Sequence, residues 1–189
     1  MPVENRERVL RAATDSFLAH GYGSSVDEIA RRAGVAKQTV YSHFPSKDAL
    51  FKAVAHALAQ SVLVELEGGD LRAALVRFAL AYRERALSVQ GIATFRTLVP
   101  EVSRFKPIAR SMYRNTMGAM VERIAQYLAA AMRDGRLRRD DPELAAEIFL
   151  SMLAGVDRVK RLFCVETGVE SDERRATRIV DTFLRAYKP

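Results

Sequence analysis

The chain has 189 residues, 49% of them hydrophobic and 28% charged, with a net charge of +7; this is the balance of one or two globular domains with a buried core and excludes a disordered chain. A single cysteine, Cys164, excludes an internal disulfide framework and fits a reducing compartment. Glu4, Arg6, Glu7 and Arg8 stand where a secretion signal needs apolar residues, and the longest uncharged run, 53–64, has 12 residues, short of the roughly 18 of a membrane span, so a cytoplasmic protein without a membrane partner is expected.

Helical spacing recurs along the chain, with no sustained period-two alternation of β-branched residues. Val9, Leu10, Ala13, Phe17 and Leu18 make the first stripe, which stops at Gly21-Tyr22-Gly23. Ser25-Val26-Asp27-Glu28 reads as a capping box, the serine covering an orphan amide and Glu28 reaching back. Val26, Ile29, Ala30 and Ala33 give the next helix its apolar face, and Gly34 ends it. A short helix over Lys37–His43 follows, with Pro45-Ser46 capping another from Lys47 to about Leu66. Further helices are expected over 71–88, 91–103, 107–133, 142–164 and 172–187, their starts marked by Gly69-Asp70, Pro107, Asp141-Pro142 and Ser171-Asp172. Pro100 should kink or split its segment. The expected fold is all-α with about nine helices.

Residues 25–44 carry the functional signal: a short helix, a turn with Gly34 and a second short helix form a helix-turn-helix. Ala30 lets the two helices approach, Val35 and Val40 face the first of them, and Phe44 closes the unit. Lys37, Gln38, Thr39, Tyr41 and Ser42 are left on the outward surface, as hydrogen-bonding side chains that so short a helix does not need for stability. From Ile29 to Lys47 there are four basic residues and no acid. Basicity does not single out the whole N-terminal region, because residues 1–52 hold eight basic and six acidic side chains. An αα-hairpin inside an ordinary bundle would show a similar pattern.

The run from Ser24 to Leu50, with its Ala33-Gly34-Val35 turn, Tyr41-Ser42-His43-Phe44 segment and Ser46-Lys47, resembles the DNA-binding domain of TetR-family transcriptional regulators, over about 45 residues beginning near Arg8. The resemblance implies an N-terminal three-helix domain, residues 1–52, and a C-terminal helical bundle for ligand binding and dimerisation, residues 53–189. It makes Thr39, Tyr41, His43 and Lys47 phosphate contacts, helped by the amides at Ser25 and Val26. Lys37 and Gln38 then read bases, lysine suiting guanine and glutamine adenine, and Ser42 touches a base or a phosphate. Where Ala36 stands the family usually has a serine or similar cap, so the start of the recognition helix is weakly capped.

The same resemblance implies a ligand cavity among the central aromatic and methionine side chains, for which Phe78, Tyr82, Phe95, Met112, Tyr113, Met117, Met120 and Phe149 are the candidates. Basic residues without an acid over 102–121 fit either a solvated face or the head of an anionic ligand. Two apolar stripes near the C-terminus resemble the family's dimer interface, giving Phe149, Met152, Val156, Ile179, Val180, Phe183 and Leu184 as its candidates. Residues 94–155 resemble the C-terminal domains of AcrR/AefR-like members. The expected function is that of a homodimeric repressor released from a palindromic double-stranded operator by a small apolar effector. The alternatives are a ligand-binding protein without operator binding, and an activator or ligand-independent DNA binder. No metal or cofactor is expected, because His20, His43 and His56 are far apart in sequence and one cysteine stands alone. No nucleophile elbow, P-loop or complete dinucleotide fingerprint marks an enzyme.

Overall fold

The computed structural model describes residues 2–66, 70–102, 106–165 and 172–189, apart from the side chains of 2, 3, 97, 98, 100, 101, 107, 108 and 112. Among the described residues it is all-helical: α1 (Pro2–His20), α2 (Val26–Ala33), α3 (Lys37–His43), α4 (Lys47–Leu63), α5 (Leu71–Leu87), α6 (Val89–Glu101), α7 (Lys106–Tyr113), α8 (Ala119–Arg133), α9 (Pro142–Leu162) and α10 (Asp172–Ala186). A π turn over Arg114–Gly118 joins α7 to α8, so residues 106–133 form one continuous helical run, and the described residues then hold nine such runs. α6 runs through Pro100 to Glu101, so the expected split does not occur; a proline this near the C-terminal end removes one i to i−4 hydrogen bond and leaves almost no helix beyond it to displace.

The chain forms two compact units, Met1–Leu58 with Ala93–Asn115, and Ala59–Ile92 with Thr116–Pro189. In the first, Val9, Ala13 and Phe17 of α1 pack on Ile29 and Ala30 of α2, Val40 of α3, and Leu50 and Val54 of α4. The α2–α3 turn is a Schellman closure: the Val35 amide donates to the Ala30 carbonyl at 3.0 Å and the Gly34 amide to the Arg31 carbonyl at 3.2 Å. Gly34 adopts φ 65°, a left-handed conformation that a side chain resists. The expected capping box does not form. Ser25 caps α2 by accepting from the Asp27 amide at 3.2 Å, while Glu28 turns to Arg31 and Arg32, each at 2.7 Å. Two guanidinium donors on the same helix outcompete one backbone amide for a carboxylate.

Ala36 holds the N-cap position of α3 in extended conformation and offers no side-chain acceptor. Ala36→Ser should therefore raise stability by about 1 kcal/mol, which a thermal melt would register as an increase of roughly 2–4 °C.

The second unit centres on a chain of rings. Phe78 stacks on Tyr82 at 5.9 Å and meets Phe149 at 6.1 Å; Phe149 meets Phe183 at 4.8 Å, and Phe183 meets Tyr187 at 4.6 Å. Ile124, Leu128 and Leu153 complete this core. Asp141 caps α9 by accepting from the Glu143 and Leu144 amides, with Pro142 at the first helical position. Arg83, 2% exposed, donates to the Leu153 carbonyl, to Asp157 at 3.0 Å and to Asp172 at 2.7 Å, and Arg175 reaches the same Asp157 at 2.7 Å. This network ties α5, α9 and the first turn of α10 together. The stretch Lys47–Leu66 is long and apolar enough by itself to cross a bilayer, with mean hydropathy 1.4. Its Leu50, Val54, Ala59, Val62, Leu63 and Leu66 are instead buried in the two protein cores.

Candidate nucleic-acid interface

The recognition helix α3 is seven residues long and anchored by Val40, 1% exposed, with Phe44 buried just beyond it. Everything else it carries is polar or aromatic. Lys37, Gln38, Tyr41 and Ser42 are exposed, and Thr39 and His43 are half-buried. Tyr41 shows 40% of its surface. The Ser42 hydroxyl donates to the Thr39 carbonyl at 2.8 Å, leaving its lone pairs outward. Ser25, also exposed, stands at the α2 N-terminus.

Two of the expected contact residues are held by neighbours that helical spacing does not reveal. The Lys37 ammonium donates to the Asp27 carboxylate at 2.9 Å, and this bond raises the lysine above its ordinary range. Lys47 lies over the Tyr22 ring at 4.4 Å, and burial there pushes its pKa down. The Tyr22 hydroxyl in turn donates to Asp48; burial and that carboxylate push it up to about 12. Arg8 donates to the Gly34 carbonyl at 3.2 Å and braces the turn from α1. Asp27, Tyr22, Asp48 and Arg8 were not legible as site residues. Each acts across a separation of ten or more residues, fixed only when the helices pack.

The candidate ligand residues divide between the units. Phe78, Tyr82, Met120 and Phe149 are buried in the second, and Met117 packs half-buried on the same core. Phe95 and Tyr113 belong to the first unit and are 40% and 56% exposed. The side chain of Met112 lies outside the described residues. Tyr113 lines an open groove of about 520 Å³ with Val102, Lys106, Ala109, Arg110 and Arg114. A second groove of similar volume runs along α8 past Glu122 and Gln126 to Pro142 and Glu143.

The candidate dimer residues also divide, and part of the expectation needs correction. Phe149, Val180 and Phe183 are 0% exposed within one chain and have no surface left for a partner. Met152, Ile179 and Leu184 are half-buried, and Val156 is 67% exposed. With Leu144, Ile148 and Val159, also exposed, Met152 and Val156 form a continuous apolar stripe along the outer face of α9.

Residues 9–54 match the family described as bacterial regulatory proteins, tetR family, and residues 73–189 match the AefR-like transcriptional repressor C-terminal domain. The HTH-type transcriptional regulator RutR of Escherichia coli (strain K12) is 26% identical over 154 residues; the match covers 73% of this chain and 66% of RutR, just under two thirds of its length. An HTH-type transcriptional regulator of Mycobacterium tuberculosis (strain ATCC 25618 / H37Rv) is 30% identical over 145 residues, covering 76% of this chain and 75% of that protein. Among solved structures, a TetR-family regulator from Mesorhizobium loti superposes with a TM-score of 0.76 at 26% identity, covering 100% of this chain and 99% of that one. The flavonoid-responsive regulator FrrA superposes with a TM-score of 0.70 at 34% identity, covering 98% and 97%. An N-terminal helix-turn-helix with an outward polar helix, followed by a helical region matched over its whole length from residue 73, leads to one conclusion: the chain belongs to the TetR family of DNA-binding transcriptional regulators.

Proposed function

We propose that the protein is a homodimeric repressor that leaves a palindromic operator when a small apolar effector binds. Residues 1–52 read the DNA, and residues 53–189 hold the effector and the dimer contact. The observation that carries this reading is the outward face of α3. A seven-residue helix anchored at Val40 presents Lys37, Gln38, Tyr41 and Ser42 to solvent. In the major groove Lys37 and Gln38 take base edges, while Thr39, Tyr41, His43 and Lys47, with the Ser25 end of α2, take phosphates. Two such helices must lie about 34–36 Å apart to reach successive major grooves, which calls for a dimer. The outer stripe of α9, with Ile179 and Leu184 of α10, is the surface that supports one. The effector meets the ring and methionine side chains of the second unit, Phe78, Tyr82, Met117, Met120 and Phe149. The name of FrrA makes planar aromatic compounds the first effectors to screen. Such a ligand acts only through its difference in affinity between the operator-bound and released states. The protein works in the cytoplasm, where its DNA is.

The test is a fluorescence-anisotropy titration against the DNA upstream of its own gene and a scrambled control. Saturable binding to the native DNA, with two chains per site, is expected; weak binding equal on both sequences would overturn the reading. Gln38→Ala should relax discrimination at one operator position by about 1–3 kcal/mol, whereas Lys47→Ala should weaken binding alike on all sequences. Full discrimination retained by the Gln38 variant would remove glutamine from the base-reading role.

A further inference from the structure

Several of the cations discussed above sit beside a carboxylate: Arg31, Arg32, Lys37 and Arg83 each have one within 3.0 Å. Lys106, Arg110 and Arg114 do not. They recur every four residues along the run from α7 into the π turn, so they share one face. All three are exposed, and none has an ion-pair or hydrogen-bond partner among the described residues. Their own segment offers none either, since residues 102–121 contain no Asp or Glu. Like charges at this spacing repel and weaken a helix. The arrangement is stabilised when an anion neutralises it.

The three cations flank an open surface groove of about 520 Å³ whose remaining lining is apolar: Val102, 48% exposed, Ala109, and Tyr113, 56% exposed. A groove of this volume fits a small molecule. A phosphodiester backbone needs only the positive rim, and it leaves an aromatic floor unused. The π turn Arg114–Gly118 begins at this end of the groove, and such turns recur at functional sites.

We infer that this groove binds an amphipathic organic anion, an acidic head of carboxylate type on a compact apolar body. Lys106, Arg110 and Arg114 neutralise the head, with arginine able to grip it through two parallel hydrogen bonds. The body lies on Val102 and Ala109 and stacks against the Tyr113 ring. The site lies wholly within the first compact unit. It does not depend on the effector reading, because binding here is measured on the protein without DNA.

Isothermal titration of the full-length protein with 2-naphthoate tests it, with 2-naphthamide as the neutral counterpart and acetate as the head alone. One molecule of naphthoate per chain is expected, with the amide and acetate each at least about tenfold weaker. Arg110→Gln and Arg114→Gln should each weaken naphthoate about tenfold, roughly 1.4 kcal/mol; Tyr113→Ala should weaken it and Tyr113→Phe should not. Arg123→Gln on α8 should change nothing. These side chains are exposed, so circular dichroism should show all variants folded. The inference fails if naphthoate does not bind, if the amide binds equally, or if the Arg110 and Arg114 variants bind as the parent does. Arginine-dependent binding to phosphatidylglycerol vesicles without binding of naphthoate would overturn it in favour of a membrane surface.

Discussion

Arg83→Ala is expected to cost about 3–5 kcal/mol of folding stability, a fall of roughly 6–20 °C in melting temperature. The guanidinium is 2% exposed and ties three elements together through Leu153, Asp157 and Asp172. Without it Asp157, itself buried, keeps only Arg175, whose side chain is 41% exposed. A half-satisfied buried carboxylate is costlier than either a complete pair or none. The pair is not an optimum, since the Arg83 Nε is buried without an acceptor among the described residues. Arg83→Met combined with Asp157→Leu should therefore recover much of what the single alanine loses.

Acid should shrink the difference between the parent and Arg83→Ala. Burial pushes the Asp157 carboxyl up, but the hydrogen bonds from Arg83 and Arg175 prevail and hold it below its ordinary 3.8. A carboxyl depressed by folding contributes stability that is fully present above about pH 4 and lost as pH falls through the lower folded value. Urea titrations of both proteins near pH 7 and near pH 3 would measure this. An unchanged gap at the lower pH would mean that the arginine acts by packing alone.

The second large effect is expected from Ile148→Glu with Val156→Glu. These side chains are 39% and 67% exposed, so the monomer fold should survive. If the outer stripe of α9 joins two chains, paired carboxylates there will separate them, since charges lose hydration in an apolar interface. Each head would then bind a half-site alone, and operator affinity should fall by on the order of 10²–10⁴-fold as the second, tethered contact is lost. Light scattering after size exclusion would report the monomer, and anisotropy the affinity. A variant that remained dimeric with parent affinity would place the interface elsewhere.

The same helix shows what periodicity can and cannot reveal. Ala145, Phe149 and Leu153 recur every four residues and so do Ile148, Met152 and Val156, and the two series lie side by side on α9. The sequence presents them as one apolar band. In the structure the first series is 0% exposed, whereas Ile148 and Val156 face solvent. Only packing against α5, α8 and α10 decides which edge of the band turns inward. Helix ends were more legible, because they depend on local chemistry: Gly34 in its left-handed turn, Asp70 and Asp141 as caps, Pro142 at a first turn. The Ser25–Glu28 box misled for a local reason, since Arg31 and Arg32 compete for the same carboxylate. The polar face of α3 followed from its few apolar residues, but the Asp27 partner of Lys37 and the Tyr22 partner of Lys47 on α4 depend on how side chains meet once the helices pack, which spacing does not encode.

If Lys37 reads a base edge as proposed, its pairing with Asp27 makes it a conditional reader. An unpaired lysine is drawn to any stretch of duplex, because each phosphate it neutralises frees condensed cations into bulk water. Lys37 begins already neutralised, at 2.9 Å from its own carboxylate. Moving it to a base edge exchanges one partner for another and leaves Asp27 bare beside a polyanion. Duplex without a strong acceptor at that position gives no return for the exchange, so the lysine stays home and the carboxylate repels. Under that proposed role the pair would penalise wrong sequences more than it rewards the right one, and its loss in Asp27→Asn should tighten binding to random duplex more than to the operator.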